Sequence, residues 1–384
     1  MTDLRPSPRV HGLDTLRALA VSFVVLHHYT LFVGSDDTFG WVGKIGWVGV
    51  DLFFALSGYL IGNQIFAAMR TPQGLSLGRF YARRLLRTLP NFYAVLALYY
   101  LWPGFRAGQP LLPVWEFLTF TQNINLEPGS AFSHAWSLCI EEQFYLLLPA
   151  CALIIAAVGG QRGGALRWSW GAIAFIIVAG MLVRGVLWQE LVDGAARPLN
   201  SYYKYIYYSS LCRLDELVAG VALALLKNYH ANLWQRLTAH AHAALAAGVA
   251  LTALTFYLFL ADHYGFAMTV FGYPMLALGF ALLIVAALGD GVLRRTGIPG
   301  AGKLALWSYA IYLTHKQACI LLAEPLAARG FDADSAVAIG VSMVVSVLSG
   351  WVLFRLVETP FMMLRDRYLP SNLRAPAALS AQPR

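Results

Sequence analysis

The segment HGLDTLRALAVSFVVLHHYTLFVG, residues 11–34, is apolar enough to enter a bilayer and yet carries several ionisable side chains. Arg17 and His28 stand eleven residues apart, which on a helix places them on nearly one face, roughly 16 Å apart along the axis. Asp14 precedes Arg17 by one turn on that face, whereas His27 is turned about 100° away. A neutral imidazole can take up a proton or an acyl group near pH 7. The spacing therefore predicts a reactive His28 on a polar stripe.

Ionisable groups inside a membrane span cost at least about 2.5 kcal/mol each for Asp or Arg near the centre, and they usually face a cavity or a partner. A structural interpretation is also open: an Arg–Asp pair at the membrane edge, with two histidines hydrogen-bonded to neighbouring helices. The clustering of these groups favours a functional site, in which Arg17 and His28 are catalytic.

The segment GRFYARRLLRTLP, residues 78–90, is interpreted as a loop between two predicted spans. Arg79, Arg83 and Arg87 recur every four residues in it, and Arg84 adjoins Arg83. Guanidinium groups bind phosphates in bidentate fashion, so the row predicts a cradle for a polyphosphate such as that of coenzyme A. Attraction to anionic lipid headgroups and simple orientation of the chain are the alternatives.

The segment HAWSLCIEEQFYLLLP, residues 134–149, re-enters the membrane after a long predicted outer loop. Ser137, Glu141 and Tyr145 share a helical face, and Glu142 points elsewhere. A carboxylate pair at this depth needs a function or a cationic partner. We interpret the two glutamates as catalytic, and ion pairing that only holds the helices together is the alternative.

Two further clusters leave structural packing and catalysis equally open. In CRLDELVAGVALALL, Arg213, Asp215 and Glu216 are expected to form ion pairs among themselves if they are structural. In SYAIYLTHKQ, His315 and Lys316 are adjacent.

Composition shows what must position these groups. Of 384 residues, 58% are hydrophobic and 12% charged, where soluble domains carry about 25% charged residues. Apolar runs long enough to cross a bilayer recur along the chain. The sequence thus predicts an all-α, polytopic integral membrane protein with about ten transmembrane helices. The predicted spans lie near residues 13–33, 49–69, 89–103, 138–158, 168–189, 205–226, 241–261, 267–288, 304–323 and 334–357.

These spans form one predicted membrane domain, residues 11–365. A short cytoplasmic segment, residues 1–10, precedes it, and the first span is expected to be a retained signal anchor because no cleavage site of small residues follows it. The Pro-, Ala- and Ser-rich residues 366–384 are predicted to be a disordered cytoplasmic tail.

Charge placement predicts the orientation. With the N-terminus inside, eighteen Lys and Arg fall on the cytoplasmic side and five outside, which places both termini in the cytoplasm. The net charge of +8 therefore reflects orientation, and no basic surface of the kind that binds nucleic acid is expected. The four cysteines all lie in predicted spans, so they predict neither a disulfide framework nor a metal site.

Seven ordered blocks resemble the integral-membrane acyltransferase-3 family, and they extend from about residue 10 to 365. The blocks are LDTLRALAVSFVVLHHY, VGVDLFFALSGYLIGNQI, FYARRLLRTLP, WSLCIEEQFYLLLP, RLDELVAGVALA, SYAIYLTH and RLVETPF. The resemblance implies a ten-helix domain that transfers acyl groups, usually acetyl from cytoplasmic acetyl-CoA, onto hydroxyls of extracytoplasmic or membrane-associated acceptors. It also implies that the important residues are Arg17 with His28, then Arg83, Arg84 and Arg87, and the pair of Glu141 and Glu142. The chain is expected to lack the extra hydrolase-like domain of many relatives.

The resulting hypothesis is a membrane O-acetyltransferase of the bacterial inner membrane that acts in polysaccharide biosynthesis of the cell envelope, on a glycan such as O-antigen or exopolysaccharide. The arginine row holds acetyl-CoA, Arg17 polarises the thioester, and His28 receives the acyl group or deprotonates the acceptor, oriented by Glu141 or Glu142. No metal is required. The predicted substrate-binding residues are Asp14, Trp136, Ser137, Tyr145 and His315. Acylation of a small secreted metabolite and proton-coupled transport are the alternatives, and the sequence leaves the oligomeric state open.

Overall fold

The computed structural model describes residues 10–369, and these residues contain no strand. Ten of the helices in this range have fifteen residues or more. They are α1 His11–Phe32, α2 Val48–Met69, α3 Leu77–Leu101, α4 Trp136–Val158, α5 Ala165–Leu187, α6 Asp215–Tyr229, α7 Ala241–Ala261, α8 Tyr273–Leu288, α9 Ala301–Ala327 and α10 Ala336–Leu353. A final helix, α11, covers Thr359–Tyr368. Shorter helices cover Trp41–Ile45, Val114–Leu118, Pro198–Tyr202, Ala231–Ala239 and Val292–Arg295.

The all-helical membrane fold is confirmed, and seven helical segments within residues 10–369 are long and apolar enough to cross a membrane. The long helices overlap the ten predicted spans one to one, but the three segments that lack this character are α3, α6 and α9. Each has a reason in the sequence. The first half of α3 carries four arginines, α6 has only fifteen residues, and α9 contains buried polar groups.

Two predicted boundaries are wrong. The arginine segment 78–90 is not a loop, because α3 begins at Leu77 and continues past Pro90 to Leu101. The span predicted at 205–226 begins late, at Asp215, since a π-helical turn, Tyr203–Tyr207, and a short 3₁₀ turn, Ser210–Cys212, precede it. Residues 1–9 and 370–384, which include most of the two predicted terminal segments, lie outside the described residues.

Helix α1 packs against α2, α8 and α9, so its polar stripe faces other helices and not lipid. Helices α2 and α6 pack so closely that their backbones are in contact. A Cβ atom on Gly58 of α2 would lie 1.9 Å from the carbonyl oxygen of Leu217. One on Gly220 of α6 would lie 2.2 Å from the carbonyl oxygen of Ala55. Small residues that allow backbones to touch are a common device of membrane helix packing.

Buried ion pairs join these helices in a pattern that the sequence interpretation missed. Arg213 pairs with Asp51 of α2, and Arg184 of α5 pairs with Asp215 at 2.5 Å. The expectation that Arg213, Asp215 and Glu216 pair among themselves is therefore wrong. The partner of Arg213 lies on α2 and the partner of Asp215 lies on α5. Spacing along one segment does not reveal contacts between helices.

Candidate active site

A cavity of about 400 Å³ lies between α1, α2, α3, α4, α9 and α11. Five arginines and two glutamates line it, which leaves three more positive than negative side chains. The arginines are Arg17, Arg83, Arg84, Arg87 and Arg365. We call this space the arginine cavity. Its volume is within the range of small-molecule sites, and its charge suits a phosphate-bearing ligand.

The two glutamates of this cavity are held by Arg84. Its Nη2 lies 3.9 Å from an Oε of Glu141, its Nε lies 3.7 Å from an Oε of Glu142, and its guanidinium lies 3.8 Å from the ring centroid of Tyr145. The Nδ1 of His28 forms its hydrogen bond with His315 and not with a glutamate. The prediction that a glutamate orients His28 is therefore wrong. Both carboxylates instead lie beside Arg84 in the arginine cavity, so the predicted catalytic function of the pair stays a prediction.

Arg17 and Arg87 present cationic groups to the same cavity. The Nε of Arg17 is buried and has no hydrogen-bond partner among the described residues. A buried unpaired donor is costly and calls for an explanation. An anionic or carbonyl ligand in the cavity would supply the missing acceptor.

Arg79 differs from the rest of its row. It is exposed and does not line the arginine cavity, whereas Arg83, Arg84 and Arg87 do. A four-residue step on a helix turns the side chain by about 40°, so Arg79 is rotated away from Arg87 and lies more than two turns nearer the start of α3. Arg365 of α11 lines the arginine cavity instead. The local sequence pattern did not predict this.

A second, smaller cavity of about 50 Å³ has histidines in its lining, and we call it the histidine cavity. His28 and His134 line it together with aromatic side chains. The ring centroids of His28, His134 and His315 lie 4.9 to 5.8 Å from one another. The aromatic lining consists of Phe32, Trp47, Trp136, Tyr203, Tyr207, Tyr208 and Tyr312.

Hydrogen bonds assign the proton positions in this cluster. Nδ1 of His315 lies 2.9 Å from the carbonyl oxygen of Ile311, which can only accept, so this nitrogen carries the proton. In neutral His315, Nε2 is then an acceptor, and His28 Nδ1 donates to it at 2.7 Å. Neutral His28 consequently keeps the lone pair on Nε2, the nitrogen that a nucleophile or a base uses.

His315 is fully buried behind His28 and lines neither cavity. The prediction that it contacts substrate is therefore not supported by its position. Its contacts instead fix the orientation and the tautomer of His28.

The other predicted residues divide between the two cavities. Ser137 and Tyr145 line the arginine cavity, and Trp136 lines the histidine cavity. Asp14 lies one turn before Arg17 and lines neither. His27, which the helical spacing turns about 100° away from the polar stripe, also lines the histidine cavity. The Nδ1 of His27 donates to the carbonyl oxygen of Gly43 at 2.7 Å.

The two cavities meet at a thin wall. Val50 and Tyr312 line both. The hydroxyl of Tyr312 donates to the carbonyl oxygen of His134 at 2.7 Å, so the hydroxyl of Ser137, 2.6 Å away, must donate to Tyr312. Val50 and Tyr312 thus lie between the arginine cavity and the histidine cluster. Among residues 10–369, no three His, Cys, Asp or Glu side chains are arranged to hold a metal ion.

Comparison with known proteins shows that the chain is similar in sequence to acyltransferases. A family model described as an acyltransferase domain matches residues 10–355. The chain is 29% identical to the peptidoglycan O-acetyltransferase OatA of Listeria monocytogenes over 56% of this chain and 33% of that protein. It is 27% identical to the putative membrane-bound transacylase BcsY of Komagataeibacter xylinus over 90% and 82%.

A third relative is the O-acetyltransferase OatA of Staphylococcus aureus, which is 34% identical over 37% of this chain and 25% of its own length. The match therefore spans about a third or less of the two OatA proteins. No solved structure matches the chain.

Proposed function

This chain belongs to the acyltransferase-3 family, and from that premise we propose that it is a membrane O-acyltransferase. It moves an acyl group, in the simplest case acetyl, from acyl-CoA to a hydroxyl of an extracytoplasmic or lipid-linked glycan. The observation that carries the proposal is the pair of cavities that meet at Val50 and Tyr312, one lined by arginines and the other by histidines. A phosphate-rich donor fits the first, and acyl transfer chemistry fits the second.

The donor lies in the arginine cavity. Arg83, Arg84, Arg87 and Arg365 hold its phosphates, and Arg17, whose Nε has no other acceptor among the described residues, polarises the thioester carbonyl. The acyl group then reaches His28 past the wall formed by Val50 and Tyr312. Glu141 and Glu142 keep Arg84 in place.

The acceptor lies on the side of the histidine cavity. Trp136, Tyr203 and Tyr208 offer aromatic faces there, and such faces pack against the apolar C–H faces of sugar rings while leaving polar edges for hydroxyls. Peptidoglycan, named for one of the relatives, is one such acceptor, and O-antigen and exopolysaccharide are others. We place the protein in the bacterial inner membrane with both termini cytoplasmic, on the eighteen-to-five charge split.

Turnover of acyl-CoA by purified protein in liposomes tests the enzyme against a transporter. With labelled acetyl-CoA and a soluble glycan fragment, we expect release of CoA and appearance of label on glycan hydroxyls. Counterflow of label across the membrane without thioester cleavage would contradict the proposal and favour transport.

Binding of acyl-CoA tests the arginine cavity. Replacing Arg87 by Ala should weaken acyl-CoA binding by about 1–3 kcal/mol, the range for loss of a hydrogen bond to a charged group. Lys at this position should restore only part of the affinity, because it lacks the planar fork. Arg79→Ala is the matched control, since Arg79 stands on the same helix outside the cavity. The affinities are measured by calorimetry in nanodiscs. Equal affinities for the two Ala variants would contradict the donor site, and the arginine row would then only orient the chain in the membrane.

A further inference from the structure

His134 is a buried imidazole that the mechanism so far does not use. It is 3% exposed, and neither of its ring nitrogens has a hydrogen-bond partner among the described residues. Buried polar groups are nearly always paired, so an unpaired imidazole that lines a cavity points to a missing ligand. Its ring centroid lies 5.8 Å from that of His28, with the two rings nearly perpendicular.

The backbone around His134 is fixed although its ring is not bonded. The carbonyl oxygen of His134 accepts from Tyr312, and the hydroxyl of the adjacent Ser133 accepts from Lys316 Nζ at 3.1 Å. Both partners come from α9, the helix that also carries His315. The fold thus holds the imidazole in place with the backbone of Tyr312 and Leu313 close to its ring, and neither ring nitrogen makes a full hydrogen bond to a described residue.

The residue before this turn is strained. Phe132 has φ of 57° and ψ of 20°, the left-handed region that bulky side chains rarely adopt. Such a conformation is unfavourable and persists where the surroundings enforce it, often at functional sites. Here it directs the chain into the turn Ser133–Ala135, which presents His134 to the cavity.

We propose that His134 is the general base that activates the acceptor hydroxyl, acting on an acyl group carried by His28. The inference rests on the proposed function and adds a second catalytic imidazole to it. His28 has its lone pair on Nε2 and its proton directed at His315. His134 is the neighbouring imidazole in the cavity with both nitrogens unpaired.

The reaction balances in two steps. In the first, His28 Nε2 attacks the thioester carbonyl, the C–S bond breaks, coenzyme A leaves as the thiolate, and the Nδ1 proton passes to His315. In the second, the acceptor oxygen attacks the acyl carbon, its proton passes to His134, and the N–acyl bond breaks. His28 Nε2 regains its electron pair and Nδ1 its proton. One proton leaves His134 to water, and the thiolate takes up one in the arginine cavity.

Separating the two steps tests the proposal without an identified glycan. Purified protein in nanodiscs is mixed with labelled acetyl-CoA, and acyl-enzyme is followed by mass spectrometry, with water as the hydroxyl probe. His134→Gln should form acyl-His28 with the wild-type amplitude but lose it to water at least about a hundredfold more slowly, the lower end for removal of a general base. Hydroxylamine, a nucleophile that needs no base, should discharge wild type and variant at similar rates.

Control variants distinguish the possible failures. His263→Gln alters another imidazole with an unpaired ring nitrogen, outside the histidine cavity, and should behave as wild type. Free imidazole should speed discharge of His134→Ala, which a merely structural role would not allow. Normal discharge by His134→Gln, or slow discharge by His27→Gln in its place, would overturn the inference alone. Turnover without any acyl-His28 would overturn the two-step route, and absence of thioester cleavage in wild type would overturn the proposed function itself.

Discussion

Replacing His28 by Ala is expected to abolish acyl transfer, with a loss of at least about a hundredfold in turnover and more if His28 carries a covalent acyl group. The reason is its tautomer: the bond from Nδ1 to His315 leaves the Nε2 lone pair available as nucleophile or base. Release of CoA and label on a glycan fragment measure the effect. The variant should still insert into the membrane and bind acyl-CoA, because His28 does not line the arginine cavity.

His27→Ala is the matched control for this prediction. The two histidines are neighbours on α1 and both line the histidine cavity, but His27 is bonded to the backbone of Gly43 and not to His315. His27→Ala should therefore retain measurable activity. Near-normal turnover by His28→Ala would contradict the assignment of His28 as the catalytic residue. Glu141 and Glu142 would then be the next candidates.

Hydropathy predicted most of the fold because each span must satisfy its backbone internally and meet lipid with apolar side chains. The prediction failed where that rule is relaxed. The first half of α3 is helical and carries four arginines that a hydropathy pattern excludes. The tyrosine-rich residues 203–207 overlap the start of a predicted span, yet they form a π-helical turn beside the histidine cavity.

The candidate site was predictable within single helices and not between them. Spacing along α1 and α3 brought out Arg17, His28 and the arginine row. The contact between His28 and His315 joins positions 287 residues apart, and His134 lies in a short turn with no periodic signal. Only tertiary packing brings these side chains together, and the same holds for the pair of Asp51 and Arg213.

Removal of Arg213 is expected to lower the free energy of unfolding by about 3–5 kcal/mol, the range for breaking a buried ion pair from one side. Arg213 and Asp51 are both 0% exposed, and the guanidinium also lies 4.3 Å from the ring centroid of Tyr273. Glu216 is buried as well, and its carboxylate has no hydrogen-bond partner among the described residues. Arg213→Met would therefore leave the Asp51 carboxylate without its cation and remove a positive charge from the surroundings of Glu216.

Unfolding of the detergent-solubilised protein measures this loss. Arg295→Met is the control, because Arg295 pairs with Asp290 at 2.7 Å while both side chains are 68% exposed. Such surface pairs contribute little to stability. The double variant Asp51→Leu with Arg213→Met should be more stable than Arg213→Met alone, since no uncompensated charge remains at position 51. Equal small losses for Arg213→Met and Arg295→Met would show that water or lipid headgroups reach the pair of Arg213 and Asp51. This ion pair would then not be what joins α2 to the segment that precedes α6.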